Sequence, residues 1–111
     1  MLVMDRIASF KTFIAKSPTD PFPRYGLAME HKTRGEHDLA WAQFAELLEQ
    51  FPDYVPTYLM AGGTLVALGR PAEAAEIYRK GIVAAAKDAH ARRELEAALV
   101  ELSSSPEVRP S

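Results

Sequence analysis

The sequence lacks cysteine, and it has neither a surplus of basic residues nor a long apolar run. Without cysteine there are no disulfides, no thiolate chemistry and no cysteine-ligated zinc sites. Thirteen basic residues against fifteen acidic ones give a formal net charge of -2. Because no cationic excess is present to neutralise phosphates, we expect no nucleic-acid partner. No window approaches the ~20 apolar residues of a membrane span, so we expect no membrane partner.

The N-terminal residues carry no apolar stretch of the signal-peptide type, because Asp5, Arg6 and Lys11 interrupt them. With the absence of cysteine, this favours a cytoplasmic location. Hydrophobic residues make up 48% and charged residues 25% of the 111 positions. That balance is typical of a globular protein, and the length predicts a single domain with one modest core.

Apolar residues recur at helical spacing throughout the chain, and no segment alternates with the period of a strand. Proline, glycine and capping residues mark the ends of six predicted helices. The predicted helices cover residues 3–16, 21–34, 37–50, 56–68, 71–85 and 89–103. Asp88 is the one mark between the last two helices, so the sequence leaves open whether they are separate. We expect one domain over residues 1–104 and a flexible tail over 105–111.

Each predicted helix has an apolar face that would point inward. On the first helix this face is formed by Val3, Ile7, Phe10 and Ile14. On the third helix the residues expected inside are Leu39, Ala40, Phe44, Leu47 and Leu48.

A constant offset of about 34 residues brings similar residues into register, which is typical of helix–turn–helix repeats. The glycines of the matched pairs would turn the chain between antiparallel helices, and the small residues would allow those helices to approach closely. The aromatic pair would fill the space between one hairpin and the next. The matched pairs are Gly35 with Gly69, Ala28 with Gly62, Ala40 with Ala74, and Phe44 with Tyr78.

In this pattern the chain resembles the tetratricopeptide repeat family, with a first copy at 21–54 and a second at 55–88. The first copy supplies Leu27-Ala28, Gly35, Ala40, Phe44 and Pro52. The second copy supplies Tyr58, Gly62, Gly69, Ala74, Tyr78 and Gly81. The sequence departs from the family pattern at Arg24 and His31, which occupy aromatic positions, at Leu47, which occupies a small one, and at Ala61 and Ala86, which replace a leucine and a proline.

The resemblance implies an all-α fold, a right-handed superhelical array of antiparallel hairpins. The helices at 3–16 and 89–103 would close its two ends, because two repeats alone leave an apolar face at each end. We therefore expect a complete small protein. The resemblance also implies an adaptor without enzymatic activity or cofactor, which binds a peptide or an amphipathic helix of another protein.

By the same resemblance, the first helix of each hairpin lines a concave binding face. The side chains expected there are mostly apolar, as suits an apolar peptide or helix. They are Tyr25, Met29, Lys32, Thr33, Leu59, Met60, Gly63 and Val66. The alternative is that the N-terminal helix covers these residues and makes them part of the core.

Two other functions compete with the adaptor interpretation. One is self-association as a homodimer, for which Val3, Phe10 and Phe13 on the first helix would supply an apolar interface. The more remote one is an enzyme or metal-binding protein. Neither HExxH nor a paired Glu-x-x-His pattern accompanies the histidines, so we expect no metal site and no catalytic residues. We expect His31 to fill an aromatic position of the repeat.

Overall fold

The computed structural model describes residues 5–104, and within that range it contains six α-helices and no strand. The helices are α1 (Arg6–Lys16), α2 (Pro21–Thr33), α3 (His37–Gln50), α4 (Pro56–Ala67), α5 (Pro71–Ala84) and α6 (Ala89–Ser103). All six predicted helices are confirmed, and α2, α4 and α5 end one residue earlier than predicted. None of the helices in this range has the length and apolar composition needed to cross a membrane.

Three aspartates fix the starts of helices by capping them. The side chains of Asp5, Asp20 and Asp88 accept hydrogen bonds from backbone N–H groups of the first helical turn, each at 3.0 Å. Asp5 is an extended residue outside the helix, so the prediction that α1 begins at residue 3 is wrong and its first helical residue is Arg6. Val3, placed on the apolar face of this helix, lies outside the described residues.

The two hairpin turns have the same geometry at equivalent positions of the two repeats. Gly35 and Gly69 adopt φ angles of 77° and 73°, the left-handed region that glycine enters without a steric cost. In both turns the backbone N–H of the residue after the glycine donates to the carbonyl five residues earlier, as in a Schellman motif. Glu36 donates to His31 at 2.9 Å, and Arg70 donates to Leu65 at 2.8 Å. The predicted role of both glycines is confirmed.

The link between α5 and α6 uses different chemistry. It contains no glycine, and the backbone N–H groups of Ala86 and Asp88 bond to the carbonyls of Val83 and Ala85 at 3.2 and 2.9 Å. Asp88 then caps α6. The two helices are therefore separate, which settles the boundary that the sequence left open.

Two buried clusters form the core, and α3 contributes to both. The first cluster joins α2, α3 and the start of the second hairpin, and consists of Ala28, Ala40, Phe44, Leu47 and Ala61. The second joins α4, α5 and α6, and consists of Tyr58, Leu65, Ala74, Ala75, Tyr78, Ala85, Leu95 and Leu102. Trp41 and Leu48 of α3 pack against both clusters, so the core is continuous from one hairpin to the next.

Close packing between helices depends on missing side chains at two positions. A Cβ atom on Gly62 would collide with the ring of Tyr78, and one on Gly81 would lie 2.5 Å from the Cβ of Tyr58. These contacts hold α4 and α5 together. The prediction that Leu39 lies in the core is wrong. Its side chain is 50% exposed, because it lies about 100° around α3 from the buried Ala40.

The N-terminal helix attaches differently from the others. Among the helices of residues 5–104, α1 contacts α2 alone. The ring of Phe10 lies over Gly26, where a Cβ atom would collide with it. Arg6 pairs with Glu30 at 3.6 Å, and Arg34 pairs with Asp5 at 3.8 Å. No residue of α1 is fully buried, so this helix is held by one aromatic contact, its flanking apolar residues and ion pairs whose arginines are exposed.

Candidate binding groove

A cavity of about 320 Å³ opens between the N-terminal ends of α4 and α6, with Tyr25 of α2 at one side. Its floor is mostly apolar, and its polar side chains come from the start of α6 and the residue before it. The lining residues are Tyr25, Val55, Pro56, Leu59, Met60, Asp88, His90, Ala91, Glu94 and Leu95.

A second cavity, of about 370 Å³, lies further along the same two helices. Gly63 and Val66 come from α4, and α6 contributes Ala98, Glu101 and Leu102, with Tyr78 of α5 at the base. Gly63 faces open space, since a Cβ atom there would meet no atom of the described chain within 4 Å. The cavity is wide enough at this point to accept a side chain from outside.

The two cavities follow one another along α4 and α6, and we call the surface that includes both the α4–α6 groove. On α4 its residues Leu59, Gly63 and Val66 are spaced i, i+4 and i+7, and therefore lie on one stripe. On α6 the lining residues recur every three to four positions from Ala91 to Leu102. The groove thus runs along about ten residues of α4, a length of roughly 15 Å.

The structure brings together five of the eight residues predicted to bind a partner. Tyr25, Leu59 and Met60 line the first cavity, and Gly63 and Val66 line the second. The other three are elsewhere. Met29 packs against the first core cluster, Lys32 is half-buried on α2, and Thr33 is exposed at its end.

The N-terminal helix does not cover the groove within the described part of the chain. It packs on the Gly26 face of α2, about 100° around that helix from Tyr25. The helix beside the groove is instead α6, which contacts α4 as well as α5. The C-terminal helix, which was expected only to close the array, therefore lines the candidate site.

Sequence reasoning missed the contribution of α6, although a signal was present. Leu27, Ala61 and Leu95 follow one another at the spacing of the repeat, and all three are buried. This register makes α6 the counterpart of α2 and α4, the first helix of a third hairpin. Arg93 and Glu94, the counterparts of Leu59 and Met60, would then have been expected on the binding face, and Glu94 does line the first cavity.

The polar part of the groove is acidic. Asp88, Glu94 and Glu101 line it, and no lysine or arginine of residues 5–104 does. His90 lies beside Glu94, with Nε2 and Oε1 3.2 Å apart. Neither arginine of α6 lines the groove: Arg92 donates to the Ala86 carbonyl at 2.8 Å and pairs with Glu96, and Arg93 is exposed beside Glu94 but outside both cavities.

Two tyrosines that line the groove have raised pKa values. Burial, followed by the charge of Tyr54, raises the pKa of Tyr25. Burial, followed by the carboxylate of Glu101, raises the pKa of Tyr78. The Tyr25 ring is fixed by edge-on contacts with Phe44 and Tyr54, with centroids 6.2 and 5.7 Å apart, so this wall is preorganised.

The other histidines belong to the fold. His31 is buried, as expected for a residue in an aromatic position, and its Nδ1 lies 3.0 Å from Oε1 of Glu36. Across residues 5–104, no three histidine or acidic side chains converge as metal ligands would. The groove offers an apolar floor, a fixed aromatic wall and an acidic edge, which suit noncovalent binding.

Comparisons with known proteins agree with this architecture. The family model described as tetratricopeptide repeat matches residues 33–108. The chain is similar to a tetratricopeptide repeat domain protein from Salinibacter ruber in its solution structure, with 34% identity and a TM-score of 0.78, covering 85% of this chain and 97% of that one. A crystal structure of such a domain protein from Salinibacter ruber matches with 37% identity and a TM-score of 0.73, covering 76% and 97%.

A more distant match extends the likeness in fold. The solution structure of a protein from Bordetella parapertussis shares 21% identity and a TM-score of 0.78, covering 92% of this chain and 90% of that one. Among curated proteins, none matches this sequence. The fold is thus shared with chains that differ from this one at most positions.

Proposed function

Because this chain belongs to the tetratricopeptide repeat family, we propose that it is a cytoplasmic adaptor that binds a helix or peptide of another protein in the α4–α6 groove. Proteins of this family generally mediate protein–protein contact. The observation that carries the proposal is the groove itself, an apolar channel next to a fixed aromatic wall and open at Gly63. Tyr25 is of the residue type that most often anchors a partner.

The residues proposed to contact the partner are those that line the groove on α4 and α6. Tyr25, Leu59, Met60, Gly63 and Val66 retain the role expected from the sequence, and Ala91, Glu94 and Glu101 join them. Met29, Lys32 and Thr33 are proposed only for a partner that extends beyond the groove onto α2. No step in this function requires catalysis or a cofactor.

Two exposed valines allow a matched test. Val66 lies in the groove, whereas Val83 lies on α5, outside both cavities, and both side chains are exposed. Pull-downs from lysate of the source organism, analysed by mass spectrometry, should recover a set of proteins with the wild type and with Val83→Lys but lose it with Val66→Lys. Circular dichroism checks that both variants stay folded. Retention of the same proteins by Val66→Lys would refute the groove assignment.

Self-association is a second candidate, and the exposed aromatics at the N-terminal end favour it. Phe13 on α1 is 54% exposed and Phe22 at the start of α2 is 62% exposed. Phe10, which we expected in the same interface, is occupied by its contact with Gly26. Light scattering after size exclusion tests this candidate: a dimer that Phe13→Ser converts to a monomer supports it, and a monomer at high concentration rejects it.

A further inference from the structure

The acidic groups that line the groove in the described part of the chain are all carried by one wall. Glu94 and Glu101 are on α6, and Asp88 is its capping residue, whereas the α4 wall is apolar. Glu94 and Glu101 are separated by about two helical turns, roughly 10.5 Å along the axis. An occupant therefore meets apolar side chains on one side and regularly spaced carboxylates on the other.

Few cations are near enough to neutralise this wall. Among residues 5–104, His90 is the one basic side chain that lines the groove, and it pairs with Glu94. Arg92 pairs with Ala86 and Glu96 instead, and Arg93 and Lys32 lie outside both cavities, although Arg93 is exposed next to Glu94. Glu94 thus has a histidine as its ion-pair partner, and the side chain of Glu101 has none within residues 5–104. An acidic wall of this kind favours a ligand that supplies positive charge.

The size of the cavities decides how such a ligand would sit. A helix about 10 Å wide would need on the order of 800 Å³ over two turns, more than the 320 or 370 Å³ of either cavity. The backbone of a partner helix would thus stay on the rim and place side chains into the cavities. Its side chains repeat every two turns on one face, which is the spacing of Glu94 and Glu101.

From this geometry we propose that the groove selects a cationic amphipathic helix of a partner protein. Its apolar residues would enter the two cavities, and lysines or arginines seven positions apart would pair with Glu94 and Glu101. This proposal rests on the proposed function and specifies its partner by charge and spacing.

Two synthetic helical peptides, each about five turns long, provide the probes. They share leucines at i, i+3, i+4 and i+7 spacing, and carry either two lysines or two glutamates seven positions apart beside the leucine face. Fluorescence anisotropy at about 50 mM salt should show the lysine peptide binding at least tenfold tighter. The ratio should shrink markedly at about 0.5 M salt, because exposed charge pairs are screened.

Two double variants with the same net charge test which carboxylates are responsible. Glu94→Gln with Glu101→Gln should reduce the preference for lysine by roughly two- to fivefold for each carboxylate, as exposed ion pairs allow. Glu49→Gln with Glu76→Gln removes two exposed carboxylates of α3 and α5, outside both cavities, and should leave the ratio unchanged. Equal effects of the two double variants would overturn the assignment to α6.

Other outcomes separate this proposal from the proposed function. If both peptides bind equally and Val66→Lys abolishes binding of both, the groove binds helices, but the proposed preference for cationic helices is wrong. If neither peptide binds, the proposal of a cationic helix fails, and the pull-downs with Val66→Lys and Val83→Lys decide the proposed function separately. A wild-type dimer that Val66→Lys dissociates would show that a second copy of the chain fills the groove, and would also overturn the proposed occupant.

Discussion

The two terminal helices differ in how they join the molecule. Helix α6 contacts both α4 and α5, and it buries Leu95, which is 1% exposed, together with Leu102. Within residues 5–104, helix α1 contacts only α2 and buries no residue fully. Both were expected to close an open end of the array, yet only α6 completes a core cluster. A helix that packs into two neighbours becomes part of the cooperative unit, whereas one that packs on a single helix can open locally.

The largest expected loss of stability is for a substitution in α6. Leu95→Ala should lower the free energy of unfolding by about 3 kcal/mol, because it leaves a cavity among fully buried neighbours. Urea denaturation followed by circular dichroism measures this change. A loss below about 1 kcal/mol would mean that α6 is no more strongly integrated than α1.

The matching change at the other end is Phe10→Ala, which removes the ring that lies over Gly26. We expect a loss of about 1–2 kcal/mol, since Phe10 is only half-buried. The loss should be local: amide hydrogen exchange of α1 should accelerate while that of α4 and α5 stays slow. Equal acceleration in all helices would show that α1 belongs to the same cooperative unit as α6.

Two adjacent glycines of α4 differ in their surroundings: Gly62 packs against Tyr78, and Gly63 faces open space. Gly63→Ala should stabilise the protein by about 0.5–1 kcal/mol, because alanine favours helix and its methyl group would lie in open space. Gly62→Ala should destabilise it, because the methyl group would collide with the Tyr78 ring. Thermal unfolding of both variants gives the sign of each effect, and destabilisation by Gly63→Ala would show that the groove is closed at that point.

The smallest expected effect concerns the charges that hold α1. Glu30→Gln weakens the ion pairs with Arg6 and Arg34. The resulting shift in the urea midpoint should be smaller than that of Gly63→Ala and should shrink at about 0.5 M salt, because the arginine partners of Glu30 are exposed and such pairs are weak and screened. A shift that persists at high salt would indicate that Glu30 acts through packing.

The local features of the sequence predicted much of the fold. Gly35 and Gly69 end helices because only glycine enters the required φ region at no cost, and Asp20 and Asp88 start helices by capping them. The pairing of small with large residues, as in Gly62 and Tyr78, was readable from the register of the repeats. Leu39 was placed wrongly, because an apolar residue next to a buried one need not share its face.

The binding groove was predicted only in part. Residues of α4 such as Leu59 and Val66 follow from the repeat pattern. The α6 wall, with Glu94 and Glu101, was not expected, because the departures from the family pattern hide the third hairpin helix. Met29, also predicted on the binding face, packs on the core cluster around Phe44 as Tyr25 and Met60 do, but unlike them it lines neither cavity.

The sequence by itself determined most helix ends to within one residue, the start of α1 and the link between α5 and α6 excepted, because capping, turn and periodicity signals act within a few residues. It also determined that the helices pair as hairpins, because small and aromatic residues recur in register. Only the tertiary structure decided which helix lies beside the candidate site. That outcome depends on how α1 and α6 pack against helices distant in sequence, and on the volume left between α4 and α6, which no local pattern specifies.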